Sequence, residues 1–266
     1  MWPIVAITFL EGIRSRVLYG IFIFSMCMMF LSVVFSNLFM REIGKVAVDF
    51  NLSAISFAGL LICFSLSTEL INKDLERKTI YFVLSKPISR CRYIFGKFFG
   101  IMALCFFAYL ILFVFSAFTL VYLKAGNGQY FESFSWLAYI QALYFDLLKL
   151  CLLNAVIFIF SVLSSSSFIS MLFSISAYIV GQTIATIVDY INLNKFGSDI
   201  SSSISSIIGV AKYVFPNFSA FDFKVISAHG MIVSGQDFAI FTLYAVVYVA
   251  VLLCATVAIF NRKEFL

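Results

Sequence analysis

Residues 150–188 contain no Asp, Glu, Lys or Arg. An apolar helix needs about 20 residues to cross the hydrocarbon core of a bilayer, so a run of about twice that length has to fold back on itself. Its middle reads SVLSSSSFIS, and the serines at 164–167 mark a tight hairpin. Four further uncharged runs meet or approach the crossing length: 17–40, 50–68, 98–123 and 238–261. With the double run split, and its first half starting near Trp136, the count is six transmembrane helices.

Composition points the same way. The chain is 63% hydrophobic and 12% charged, with a mean hydropathy of +1.06, where a soluble domain carries about a quarter charged residues. Only three of 266 residues are proline, which suits long uninterrupted helices. The net charge of +5 is divided among short loops between apolar spans and is not the footprint of a nucleic-acid binder. The fold class is an all-α integral membrane protein. Its spans are expected at 17–40, 50–71, 98–123, 136–163, 168–188 and 238–261.

Cysteine and histidine usage offers no metal or disulfide chemistry. Cys27, Cys63, Cys105, Cys151 and Cys254 sit within apolar runs, Cys91 lies in a charged segment, and no C-x-x-C pair occurs. His229, the single histidine, has no second imidazole or thiolate beside it in sequence, so no metal site is expected. No cleavable signal peptide is expected either, because the first span is too long for one and lacks an A-x-A-like site behind it.

Orientation follows from Lys and Arg. An even number of spans puts both termini on one side, which then holds Arg14, Arg16, seven basic residues between Lys73 and Lys97, Arg262 and Lys263. The other side holds Arg41, Lys45, Lys124, Lys195, Lys212 and Lys224 in longer loops. By the positive-inside rule both termini are cytoplasmic. Ile4, Ile7, Leu10 and Ile13 recur at helical spacing with Thr8, Glu11 and Ser15 on another face. Residues 1–16 therefore read as an elbow helix lying along the membrane surface, with Trp2 at headgroup depth. The external stretch 189–237 contains an apolar stripe of Ile200, Ile204, Ile207, Ile208 and Ala211, capped by Ser198 and ended by Pro216. A short helix dipping into the outer leaflet is expected there. Tyr213, Phe215, Phe218, Phe221 and Phe223 follow as interfacial aromatics.

Charge gathers in one cytoplasmic place, residues 72–97. Glu69 and Lys73 are four apart, as are Asp74 and Lys78, each with the acid first, the better order for a helix. Pro87 stops that helix and Ser89 can cap the next one, which leads into the third span at Lys97. The segment DLERKTIYFVLSKPISRCRYIFGKFFG resembles the cytoplasmic loop of ABC-2 type permeases, the membrane subunits of ATP-binding-cassette exporters. The matching positions are Glu76, Thr79, Leu84, Ser85, Pro87, Ser89, Arg90, Gly96 and Lys97. Where that family has Gly before Thr, this chain has Lys78. Elbow helix, six spans and external re-entrant helices before the last span extend the resemblance over the chain. It is most similar to the branch of nitrous-oxide-reductase-maturation and gliding-associated permeases.

The resemblance implies a coupling helix at 72–97 that docks into a separate ABC ATPase subunit. Asp74, Glu76, Arg77, Lys78, Thr79, Ser85, Pro87, Ser89 and Arg90 are its coupling residues. It further implies two ATPase copies that carry ATP and Mg, a second permease copy, expected as a homodimer with spans one, two and five lining the route, and location in the inner membrane among its lipids. Read without the resemblance, the same segment is a basic anchor that obeys the positive-inside rule. The chain has no G-x-x-x-x-G-K-[ST] signature, so it is not expected to be an enzyme by itself or to bind a cofactor.

Asp146 and Lys149 stand three apart in the fourth span and share a helix face. They read either as a polar patch on the translocation route or dimer contact, or as a mutually paired couple near the outer interface. A secondary transporter or channel without an ATPase would want such groups at mid-membrane. A membrane assembly factor that transports nothing is a third reading.

Overall fold

The computed structural model describes residues 1–38, 42–76, 89–164, 166–192 and 214–262. The regular elements among them are all helical. Helix α1 (Trp2–Ile13) carries Pro3 in its first turn, where the missing N–H would have had no partner in any case. It leads to α2 (Arg16–Leu38), α3 (Ile43–Ile62) and α4 (Thr68–Glu76), the last two joined by a π-helical segment, Cys63–Ser67. Helix α5 (Arg90–Gly126) and α6 (Trp136–Leu163) follow, then α7 (Ser167–Asn192), the short α8 (Lys224–Ala228) and α9 (Gly235–Arg262). Six stretches are long and apolar enough to cross a membrane, and the chain is a multi-pass membrane protein.

Side-chain caps set two of the helix starts. The Ser89 hydroxyl accepts from the Arg92 N–H at 3.4 Å, and the Ser135 hydroxyl accepts from the Ala138 N–H at 3.5 Å. The long uncharged run divides between α6 and α7, where Ser161 and Ser170 hydrogen-bond across the turn at 2.8 Å.

Several helices outrun their apolar stretches. The second crossing helix starts at Ile43, not at 50, because Ile43, Gly44, Ala47 and Val48 keep a buried face while Lys45 pairs outward with Glu42 at 3.1 Å. At its other end it continues to Glu76, so Glu69, Lys73 and Asp74 belong to the span helix rather than to a separate short one. Helix α5 has 37 residues, about 55 Å at 1.5 Å per residue. That exceeds a hydrocarbon core of about 30 Å, so its polar first turns stand outside the apolar layer.

Helices α3 and α6 form the centre. Tyr139, Phe145, Lys149 and Phe158 of α6 are fully buried, as are Ile55 and Ile62 of α3. Helix α2 packs on α3 and α9 packs on α6, each leaving large apolar side chains facing outward. The elbow helix departs from its sequence reading. Part of its polar face turns inward. Thr8 and Gly12 are buried against α5, while Trp2, Ile7 and Leu10 face outward. At the end away from the termini, Phe218 and Phe221 are core residues and not interfacial ones. They are fully buried, and the Phe218 N–H donates to Gly181 O at 3.1 Å. The stripe at 200–211 and its cap Ser198 lie outside the described residues.

Candidate functional site

Of the residues expected to couple, Arg77, Lys78, Thr79, Ser85 and Pro87 lie outside the described residues, and Glu76 closes α4. Asp74, Ser89 and Arg90 flank them; the structure places Asp74 and Arg90 in one polar cluster at the end of the bundle that carries both termini, while the exposed Ser89 caps α5 beside it.

Lys97 is its hub. Although 5% exposed, its ammonium donates to Asp74 Oδ2 at 2.8 Å and to Leu70 O at 3.2 Å, with Glu11 Oε2 at 3.9 Å. A buried charge is tolerable only when paired and hydrogen-bonded, and this one is both. Asp74 also accepts from the Tyr93 hydroxyl at 2.7 Å. Lys73, which helical spacing pairs with Glu69, binds Glu11 of the elbow helix instead, while Glu69 is exposed.

Arg90 joins the last helix to the cluster. Its Nη1 donates to Phe260 O at 3.1 Å and to Asn261 O at 3.0 Å. These are carbonyls of the final turn of α9, where intrahelical donors run out and the helix dipole favours a cation. The guanidinium carbon lies 6.0 Å from the Phe260 ring, which stacks on Tyr93 at 6.0 Å and 17°. Both ends of the 77–88 segment are thus tied, through α4 and α5, to α1 and α9.

Sequence reading matched Gly96 and Lys97 to a motif but missed Glu11, Tyr93 and Phe260. The spacing Gly96–x–x–x–Gly100 carried a usable signal, since small residues four apart let two helices approach closely. A Cβ on Gly96 would come within 2.9 Å of Ile4 Cγ2, and one on Gly100 within 2.7 Å of Thr8 Cβ. That contact brings Glu11 within reach of Lys73 and Lys97.

The second polar site lies inside the bundle. Asp146 accepts from the Ser56 hydroxyl through Oδ1 at 2.7 Å and from the Tyr109 hydroxyl through Oδ2 at 2.5 Å. Gly59 makes this possible, because any Cβ there would collide with the Tyr109 hydroxyl. Asp146 and Lys149 are not mutually paired: both are buried, but no ion pair joins them among the described residues, and Asp146 turns to α3 and α5 while Lys149 Nζ lies 5.6 Å from the Tyr178 ring of α7. One turn beyond Lys149 in α6, Asn154 is fully buried with neither side-chain polar atom partnered. Ser67 Oγ and Asn72 Nδ2, on the π segment and α4, are in the same condition. Among the described residues no three His, Cys, Asp or Glu side chains converge as metal ligands. His229 is exposed, and its Nδ1 lies 2.9 Å from Val225 O.

The described flanks of the charged segment are held to α1 and α9 by these ion pairs and hydrogen bonds. No curated protein matches the chain. A family model described as ABC-2 family transporter protein matches residues 2–265. Its members are membrane translocation components that pair with an ABC ATPase and are not catalytic themselves. The match spans nearly the whole of an all-helical chain with six crossing helices, and the protein therefore belongs to the ABC-2 family as a permease component of an ABC transporter.

Proposed function

We propose that this permease forms, as two identical copies, the translocation pathway of an ATP-driven exporter, and that residues 72–97 are its coupling segment. The termini and the segment face the cytoplasm, and the protein sits in the inner membrane. The segment docks on a separate ABC ATPase, one for each permease copy, and ATP and Mg are bound there. The branch resembling nitrous-oxide-reductase-maturation and gliding-associated permeases is the working assignment. Glu76, Arg77, Lys78, Thr79, Ser85 and Pro87 supply the docking surface, while Asp74, Ser89 and Arg90 hold its roots.

One observation carries the reading: Lys73 and Lys97 tie the roots of the segment to Glu11 of α1, Asp74 pairs with Lys97 and Tyr93, and Arg90 ties the second root to α9. A push on the segment is then delivered as rigid-body motion to helices at the edges of the bundle. A surface anchor obeying the positive-inside rule needs no such buried pairing. Helix α7 supports the second copy. Ile169, Leu172, Ser176, Ile179, Thr183 and Thr186 are all exposed on one face, at spacings of three and four. Hydroxyl-bearing small residues on an outward face favour contact with another helix over contact with lipid.

The test is purification of the tagged chain from its native membrane in mild detergent, with mass spectrometry and an ATPase assay. The expected result is a P-loop subunit at about equal stoichiometry, which is the composition of a two-plus-two assembly. Absence of a nucleotide-binding chain under several gentle conditions contradicts the reading. Ion-coupled transport through the buried Asp146 then becomes the alternative, and loss of transport in Asp146→Asn with an intact fold supports it.

A further inference from the structure

We propose that the groove between α1, the start of α2 and α4 binds the headgroup of an aminophospholipid, a phosphodiester with a primary ammonium, from the surrounding membrane. The groove holds about 750 Å³ and lies where the elbow helix turns into the first crossing helix. Its walls divide by chemistry. Ile7, Leu10 and Val17 are exposed apolar side chains on one part of the lining, and the buried Leu70 forms its floor. Arg14 and Arg16 lie at the junction of the two helices, and Glu69 projects from α4.

The charges identify the occupant. Among the described residues, Arg14, Arg16 and Glu69 have no ion-pair partner within 4.0 Å, although all three line one groove. The other two charges of the lining, Glu11 and Lys73, satisfy each other. What remains is two guanidiniums and one carboxylate beside an apolar wall. A simple anion would use the guanidiniums and be repelled by Glu69. A lipid with a phosphate and a primary ammonium uses all three, as charge-assisted hydrogen bonds from Arg to phosphate and from ammonium to carboxylate. Its acyl chain runs along Ile7, Leu10 and Val17, as expected for a site at the membrane–water boundary. A choline headgroup offers the same phosphate but no N–H donor for Glu69. This inference rests on the groove alone and holds whether or not an ATPase binds.

The test is native mass spectrometry of the full chain after delipidation, titrated separately with dioleoyl phosphatidylethanolamine, phosphatidylcholine and phosphatidylglycerol. The wild type is expected to retain the ethanolamine lipid most tightly. Arg14→Gln with Arg16→Gln is expected to weaken retention of that lipid about thirtyfold. Glu69→Gln is expected to lose only the preference for ethanolamine over choline, about fivefold. Equal retention of ethanolamine and choline lipids by the wild type overturns the proposal, as does tighter retention of phosphatidylglycerol. Should the double variant fail to fold, Glu69→Gln decides alone, since an unchanged headgroup preference there also overturns it.

Discussion

Lys97 shows how a single side chain organises one end of the molecule. It stands in the first turns of α5, buried, with Asp74 and the Leu70 carbonyl in hydrogen-bond range and Glu11 just beyond. Removing one partner of a buried pair leaves the others uncompensated, so Lys97→Met is expected to destabilise by about 3–5 kcal/mol. A lowered thermal midpoint in detergent measures this. The loss should be partly recovered when Asp74→Asn is added, because residues in one network do not act additively. Asn154 predicts the opposite sign. Its side-chain polar atoms are buried without partners, so Asn154→Leu, with the same branched heavy-atom skeleton, is expected to raise stability by about 1–3 kcal/mol. If transport falls while the thermal midpoint rises, Asn154 is retained for function. Residue-scale chemistry was only partly legible in the sequence. Asp146 and Lys149 were visible as charges in a span, but their partners Ser56, Tyr109 and Tyr178 come from other helices, and no local spacing encodes that. Pairing Lys73 with Glu69 failed for the same reason: an exposed i,i+4 pair contributes little, and Glu11 competes from a neighbouring helix.

Elements were more legible than their ends. Six apolar stretches declare themselves because lipid forces every backbone polar group into a helix, and serines announce the break between α6 and α7. A helix limit was missed where the helix continues past the apolar layer at Ile43, because apolar length marks the membrane and not the helix, whereas the start of α5 was legible from its cap, Ser89. The π segment at Cys63–Ser67 had no signal in composition at all. The seat of α1 on α5 was written in Gly96 and Gly100. Gly100→Leu is expected to cost about 1–3 kcal/mol by overpacking against Thr8. Protease protection of the elbow helix checks this, and unchanged protection would contradict the close approach. Helix α7 carries the element-scale prediction for assembly. A large side chain at Ser176 or Thr183 is expected to shift the detergent-solubilised protein from dimer to monomer, read by size-exclusion with light scattering. Persistence of the dimer in both Ser176→Trp and Thr183→Trp places the copy–copy contact elsewhere.

At the scale of the whole molecule, the charge gathered in one loop has a structural counterpart. The loop's two roots are fastened to the first and last helices of the bundle, through Glu11 at one side and the final carbonyls of α9 at the other. Among the described residues, the crossing helices present mostly apolar side chains around a centre made by α3 and α6. Docking at that loop is the proposal, and the ABC-2 family match over residues 2–265 names the kind of partner, an ABC ATPase. The most direct measurement is the stimulation of the partner ATPase by the reconstituted permease, with and without Glu76→Ala and Arg77→Ala together. The account predicts lost stimulation or lost ATPase binding with membrane insertion intact. Unchanged stimulation by the double variant would contradict the assignment of 72–97 as the coupling segment.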